Sequence, residues 1–81
     1  MKLRVKLFAA AKDLARADSV TIELPDNATA ANLREALATQ VSALETILPH
    51  ALFAVDANYA DDATVLTEQS DVALIPPVSG G

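Results

Sequence analysis

The chain has 81 residues, 52% of them hydrophobic, and a formal net charge of −5 at pH 7. This length allows one small domain with a single compact core. The absence of cysteine excludes disulfides, thiolate zinc sites and a cysteine nucleophile, and the single histidine, His50, argues against a histidine metal site or a serine–histidine triad.

The first half of the chain begins with two predicted strands joined by a short helix. Residues 2–8 alternate between apolar and mostly charged side chains, which predicts a half-buried strand. An alanine-rich segment follows, and we expect a short helix over residues 11–16. Alternation over residues 20–24 predicts a second strand, which Pro25 ends. The side chains expected to face inward are Leu3, Val5, Leu7, Val20, Ile22 and Leu24.

A longer helix is predicted next. Thr29 is a suitable N-cap, and the helix is expected to run to about residue 42. Leu33, Leu37 and Val41 recur every four residues and form one apolar stripe, which indicates packing on a sheet. Arg34 lies off this stripe.

The second half of the chain predicts shorter elements. An apolar turn over residues 44–48 is expected to stop at Pro49. A strand is predicted over residues 52–56, followed by a polar loop over residues 58–64. Residues 72–75 form a continuous apolar run, which is typical of a central strand with contacts on both faces.

The order of elements predicts the fold. It is strand, strand, helix, strand, a brief extended segment at residues 65–66, and a last strand. A hairpin followed by a crossover helix indicates an α+β domain, a mixed sheet of four to five strands with one main helix packed on one face. A β-grasp (ubiquitin-like) roll fits, with the first and last strands central and parallel and the second sheet face open. Residues 1–75 are the predicted domain and residues 76–81 a flexible tail.

Positive charge is concentrated at the start of the chain. Residues 1–16 hold five of the six Lys and Arg, whereas residues 17–81 hold ten of the eleven Asp and Glu. We expect the basic first strand to pair with acidic neighbours, in preference to docking an acidic partner. The overall acidity argues against nucleic-acid binding, and no apolar run approaches the roughly 20 residues that span a bilayer. With no signal-peptide pattern at the start, a cytoplasmic protein without membrane contact is expected.

The tail Pro76-Pro77-Val78-Ser79-Gly80-Gly81 contains both glycines of the chain, as its last two residues. Two prolines make a stiff, extended exit. The glycines provide a terminus without side chains, which can be threaded into a narrow channel on another protein. The reactive group there is the α-carboxylate of Gly81. Adenylation by ATP would add a leaving group, and a sulfur nucleophile could displace AMP to form a thiocarboxylate, without any catalytic side chain on this chain.

Several segments together identify a family. They are Leu7-Phe8-Ala9, Lys12-Asp13-Leu14, the Thr29 helix with Leu33 and Leu37, and the final run from Asp71 to Gly81. The sequence resembles the small, sulfur-carrier subunits of molybdopterin synthase, a ubiquitin-like family, over essentially its whole length. That family usually has glycine where this chain has Ser70, and often asparagine at the position of Asp56. Both positions lie in predicted turns, so we expect them to affect local loop geometry and not activity.

The resemblance implies a carrier function. It implies that an E1-like, ATP-dependent adenylyltransferase activates Gly81, which is then loaded as a thiocarboxylate. The tail would enter the active site of the large synthase subunit and give sulfur to cyclic pyranopterin monophosphate. The implied complex is a heterotetramer of two large and two small subunits. The chain itself would be a non-catalytic subunit that binds no cofactor and no metal, since the activating partner uses the ATP.

Three apolar residues are predicted to contact the partner. Phe8 and Ile75 would lie outward on neighbouring strands of the roll, at the root of the tail, and form one exposed patch. Tyr59 is the third predicted contact residue, because the family that the sequence resembles has an apolar contact residue in that region.

Two other functions use the same activation chemistry. One is a ubiquitin-like modifier joined to lysines of other proteins through Gly81. The other is a sulfur carrier for thiamine or cysteine synthesis, although those relatives usually lack the Pro-Pro-Val-Ser lead-in. Conjugates of Gly81 on cell proteins would favour the modifier, and co-purification with a large synthase subunit would favour the molybdopterin carrier.

Overall fold

One mixed sheet organises residues 1–77, which are the residues that the computed structural model describes. In chain order the elements are β1 (Lys2–Leu7), α1 (Ala9–Ala15), β2 (Ser19–Glu23), α2 (Ala30–Gln40), 3-10 turns at Ser42–Leu44 and Leu48–His50, β3 (Leu52–Val55), β4 (Asn58–Ala60) and β5 (Val72–Ile75). The strands have the order β2-β1-β5-β3-β4 in the sheet, with β1 and β5 parallel and the other pairs antiparallel. The first and last strands are therefore interior and parallel, so the predicted β-grasp arrangement is confirmed.

The β1–α1–β2 segment has the predicted order of elements, but α1 begins two residues earlier than predicted and β2 one residue earlier. Alternate residues of β1 are buried and the others are exposed, as expected. The strand ends one residue before the predicted end because Phe8 caps α1, where its carbonyl accepts the Ala11 N–H at 3.0 Å. Helix α1 ends where Arg16 adopts a left-handed φ of 56°. The inward-facing residues Leu3, Val5, Leu7, Ile22 and Leu24 are buried and Val20 is half-buried.

Helix α2 begins at the predicted cap. The Thr29 hydroxyl accepts the Asn32 N–H at 3.3 Å, and the Asn32 side chain accepts the Thr29 N–H at 2.9 Å. This reciprocal pair is a capping box. Leu33 and Leu37 are fully buried against the sheet. The helix ends at Gln40, whose side chain hydrogen-bonds both backbone groups of Glu23 at 2.9 and 3.0 Å and so ties the helix end to the edge strand β2.

Two predictions for the second half are wrong. Pro49 does not stop a turn but lies within the 3-10 turn Leu48–His50, in the first turn, where a missing N–H costs no hydrogen bond. Residues 58–64 are not all loop, because Asn58–Ala60 form the edge strand β4. A three-residue strand is too short to show a period-2 pattern. Around it, β3 ends one residue early at Val55, and Val65 forms an isolated bridge with Thr29.

Arg34 links α2 to the start of β3. Its guanidinium donates to the Leu48 carbonyl and, at 2.8 Å, to the Ala51 carbonyl. The same group lies 5.1 Å from the centre of the buried Phe53 ring, a cation–π distance. One side chain off the predicted apolar stripe therefore fixes the position from which β3 begins.

The β3–β4 hairpin contains backbone strain that a glycine can relieve. Asp56 and Ala57 form its two-residue loop with φ of 51° and 70°. Two positive φ values are the pattern of a type I′ turn, in which the second position favours glycine. A left-handed conformation costs a residue with a Cβ about 1–2 kcal/mol. We expect Ala57→Gly to raise the free energy of unfolding by about 0.5–1 kcal/mol. This gain is smaller than the relieved strain because glycine also increases the entropy of the unfolded chain.

Urea denaturation measures this change. Ala10→Gly is the control, because Ala10 lies exposed inside α1 and the same substitution there should lower the free energy of unfolding by about 0.5–1 kcal/mol. A loss of stability in Ala57→Gly as well would contradict the strained turn.

Candidate functional site: the open sheet face and the tail exit

The sheet face opposite α2, the open face, carries an ordered set of side chains. Its rows follow from the strand register. Lys6 pairs with Ala73, Ala73 with Ala54, and Ala54 with Tyr59. In the row beyond Ala73, Ile75 pairs with Leu52. Because alternate residues share a face, these residues project on the side away from the core.

Four of the open-face residues form what we call the apolar patch: Phe8, Leu52, Tyr59 and Ile75. Phe8 follows Leu7, which pairs with Leu74, so Phe8 lies beside Ile75. The exposed fractions are 49% for Phe8, 53% for Leu52 and 75% for Tyr59, whereas Ile75 is half-buried. Large apolar side chains grouped in this way are typical of a protein interface.

The structure places all three residues that the sequence predicted for partner contact on the open face. Phe8 and Ile75 are neighbours, but Ile75 is less exposed than expected. Tyr59 lies on strand β4 and not in a loop. Leu52 was missed, although its alternation with the buried Phe53 could have placed it on the open face. Contact of these residues with a partner stays a prediction.

The tail leaves the sheet next to the patch. Strand β5 ends at Ile75, Pro76 is buried and Pro77 is exposed. Pro76 and Pro77 were also predicted to thread with the tail, but the burial of Pro76 makes it part of the domain. The other predicted tail-threading residues, Val78, Ser79 and Gly80, and the predicted reactive Gly81, lie outside the described residues. A partner that covers the apolar patch would therefore lie against the root of the tail.

Three of the basic residues near the start of the chain have a polar side-chain partner. Lys6 contacts Asp71 at 3.0 Å, which confirms acidic pairing for this residue, through the residue before β5 and not through β2. Lys12 hydrogen-bonds Asp18 at 2.9 Å, and this contact lowers the pKa of the Asp18 carboxyl and raises the pKa of Lys12. Arg4 donates its Nε–H to the neutral Ser19 hydroxyl at 3.1 Å.

Residues 1–77 contain neither a metal-binding cluster nor a membrane-spanning helix. No group of three or more His, Cys, Asp and Glu there could hold a metal ion. None of the helices in that range has both the length and the apolar character needed to cross a membrane.

The sequence and the fold both match proteins of known families. The ThiS family profile matches residues 5–81. The chain belongs to the ThiS family. A molybdopterin synthase sulfur carrier subunit from Dictyostelium discoideum is 34% identical over 83 residues, which cover 99% of this chain and 96% of that protein.

Two solved structures show the same ThiS-family fold. SAMP1 from Haloferax volcanii matches with a TM-score of 0.84 and 26% identity, over 100% of both chains. A chain of the complex of subunits 1 and 2 of the molybdopterin-converting factor from Helicobacter pylori matches with a TM-score of 0.68 and 23% identity, again over 100% of both chains. At 23% identity, the likeness to the Helicobacter pylori chain shows the fold alone.

The ThiS-family chain accommodates both of its unusual turn residues. Asp56 adopts a left-handed φ of 51°, which aspartate tolerates, and its Oδ1 accepts the Asp71 N–H at 2.9 Å. Ser70 has no positive φ, so its turn does not require glycine, and its Oγ accepts the Thr67 N–H at 3.0 Å. Side-chain hydrogen bonds thus hold both turns.

Proposed function

We propose that this chain is the sulfur carrier subunit of a molybdopterin synthase and that Gly81 carries the sulfur. The observation that carries the proposal is the likeness to the Dictyostelium discoideum carrier subunit over nearly the full length of both chains. The Gly80-Gly81 end supports it, because those residues are the only glycines of the chain. The fold supports it through an apolar patch at the root of the tail.

The chemistry takes place at the terminal carboxylate. An oxygen of Gly81 attacks the α-phosphorus of ATP, and pyrophosphate leaves. The resulting acyl adenylate is an electrophile, and a sulfide-level nucleophile displaces AMP to give the thiocarboxylate. An E1-like adenylyltransferase supplies the ATP site, so the chain itself binds no cofactor and contributes no catalytic side chain.

The domain presents the loaded tail to a second protein. A large catalytic subunit docks on the apolar patch, and residues 77–81 thread into its active site, where sulfur passes to cyclic pyranopterin monophosphate. Two large and two small subunits make up the complex. The Helicobacter pylori chain that shares this fold was solved in a complex of subunits 1 and 2 of the molybdopterin-converting factor, which is the kind of assembly proposed here.

Sulfur loading tests the proposal directly. The chain is incubated with its adenylyltransferase, ATP and sulfide, and its intact mass is measured. We expect one oxygen to be replaced by sulfur, with tandem fragmentation placing the change on Gly81. Reactions without ATP are the control. An unchanged mass in the complete reaction would overturn the function.

A modifier function is the second candidate. The match to SAMP1, at 26% identity and over the whole of both chains, favours it, since the name SAMP1 stands for small archaeal modifier protein 1. Mass spectrometry of lysine-linked conjugates in the native host distinguishes the two. Gly81 joined to lysines of many proteins would favour modification, and capture of a large synthase subunit would favour the carrier.

The apolar patch makes a separate prediction. Because Phe8 is half exposed, Phe8→Ala should leave the melting temperature nearly unchanged. It should weaken binding of the large subunit by about 1 kcal/mol or more, roughly fivefold in Kd. Ile75→Ala should lower both the melting temperature and the affinity for the large subunit, because Ile75 is half-buried. Thermal melts and calorimetric titrations of the same samples measure the two effects.

Leu14→Ala is the matched control for the patch. Leu14 is 42% exposed on α1 and lies outside the patch, so its truncation should not change the affinity. A large fall in the melting temperature of Phe8→Ala with normal affinity would show that Phe8 acts in folding and not in binding.

A further inference from the structure

Strand β1 places three cations on the open face, and they have different surroundings. Lys6 is paired with Asp71 at 3.0 Å. Lys2 lies opposite Glu23 in the β1–β2 ladder, and Arg4 lies opposite Thr21. Over the described range 1–77, no carboxylate oxygen lies within 4.0 Å of the Lys2 or Arg4 side chain. Arg4 is thus an exposed cation whose charge no described neighbour neutralises.

The Arg4 guanidinium is held in place with its terminal nitrogens available. Its Nε–H donates to the Ser19 hydroxyl at 3.1 Å, across the β1–β2 pair. That bond uses one of the five N–H groups and limits the orientations of the planar fork. The two terminal nitrogens can bind a carboxylate through two parallel hydrogen bonds, a geometry that arginine favours.

Arg4 lines a groove that reaches the apolar patch at Phe8. The lining includes Arg4 and Lys6 of β1, Phe8 directly after that strand, and the Lys12–Asp18 pair, whereas the other three patch residues do not line it. Strand geometry puts the Cα of Arg4 about 13 Å from that of Phe8. Lys12 pairs with Asp18 at 2.9 Å and Lys6 with Asp71 at 3.0 Å, so Arg4 is the charged lining residue that has no acidic partner among residues 1–77. A partner seated on Phe8 would extend along this groove to Arg4.

We propose that Arg4 extends the apolar patch into a mixed docking surface that binds a carboxylate-bearing segment of the large subunit and fixes the orientation in which that subunit docks. This inference rests on the proposed function. The rest of the chain repels an acidic partner, since residues 17–81 hold ten acidic residues and one base. Attraction confined to one strand favours one orientation and speeds association. Anionic lipids and nucleic acids would need more than this isolated charge to overcome the net charge of −5.

Association kinetics with the cognate large subunit test the proposal. Arg4→Gln should lower the association rate constant about fivefold at low salt and reduce its dependence on ionic strength. Arg16→Gln is the matched control, because it removes the same charge from the C-terminal cap of α1, outside the groove lining. Ser19→Ala keeps the charge but removes the bond that orients Arg4, so it should raise the dissociation rate and leave the salt dependence unchanged.

The outcomes separate the inference from the function on which it rests. If the wild-type chain binds and Arg4→Gln has the same rate and salt dependence as wild type or Arg16→Gln, the role of Arg4 is overturned and the carrier function stands. If the wild-type chain does not bind a large subunit at all, the proposed function falls, and the inference falls with it. Arg4→Lys keeps the charge on the exposed strand face, so it preserves the test if Arg4→Gln fails to fold.

Discussion

A chain that ends at Gly80 is expected to fold normally and to accept no sulfur. The deletion leaves the fold intact because the last residue of the hydrophobic core is Leu74, and β5 ends at Ile75. It stops loading because the carboxylate moves back by one residue, about 3.5 Å along an extended tail. Displacements of this size remove a reacting group from the position that an adenylation site requires.

Three tail variants separate the effect of tail length from the effect of the terminal carboxylate. Deletion of Gly81 and addition of one alanine after Gly81 change the reach of the tail in opposite directions, and both should abolish loading. Amidation of Gly81 keeps the length and removes the carboxylate, so that chain should still bind the large subunit but gain no sulfur. Circular dichroism checks the fold and intact mass measures the sulfur. Sulfur on the chain that ends at Gly80 would disprove the role of Gly81.

Arg34→Met is expected to lower the free energy of unfolding by about 2–4 kcal/mol. The substitution removes charge-assisted hydrogen bonds to the Leu48 and Ala51 carbonyls, each worth about 1.5–3 kcal/mol when buried. It also removes the cation–π contact with Phe53. The Arg34 side chain is 27% exposed, so water compensates part of the loss. Against a total stability of about 4–12 kcal/mol for a domain of this length, the effect is large.

Urea unfolding of three variants separates the causes of that loss. Arg34→Lys keeps the charge without the planar fork, and its loss should be intermediate. Arg16→Met removes an exposed arginine and should change stability by less than about 0.5 kcal/mol. A loss below 1 kcal/mol in Arg34→Met would show that other contacts hold the start of β3.

The parts of the fold that could be predicted from sequence are those with strong local signals. Alternation in β1, the apolar run of β5 and the Thr29 cap each determine local structure through residues near in sequence. The positions of β4 and of Pro49 could not be predicted, because a three-residue strand has no period and a proline fits the first turn of a 3-10 helix as well as it ends one.

The candidate site required the pairing of distant strands. The sequence predicted that Phe8 and Ile75 face outward, but only the strand register showed that Leu52 lies beside Ile75. Arg34 was expected off the apolar stripe, yet its acceptors lie 14 and 17 residues away in sequence. Likewise, Lys6 finds its acid at Asp71, from the opposite end of the chain. Contacts of this kind depend on topology, which local patterns do not encode.

The central position of β5 has a mechanical consequence for the tail if it is threaded into a partner as proposed. Strand β5 is bonded on one side to β1 and on the other to β3. Freeing it requires both ladders to break at once, so its amide hydrogens should exchange with solvent only when the whole domain unfolds. Force applied to the tail thus acts on the most stable part of the sheet, so the domain should stay folded when its terminus is pulled.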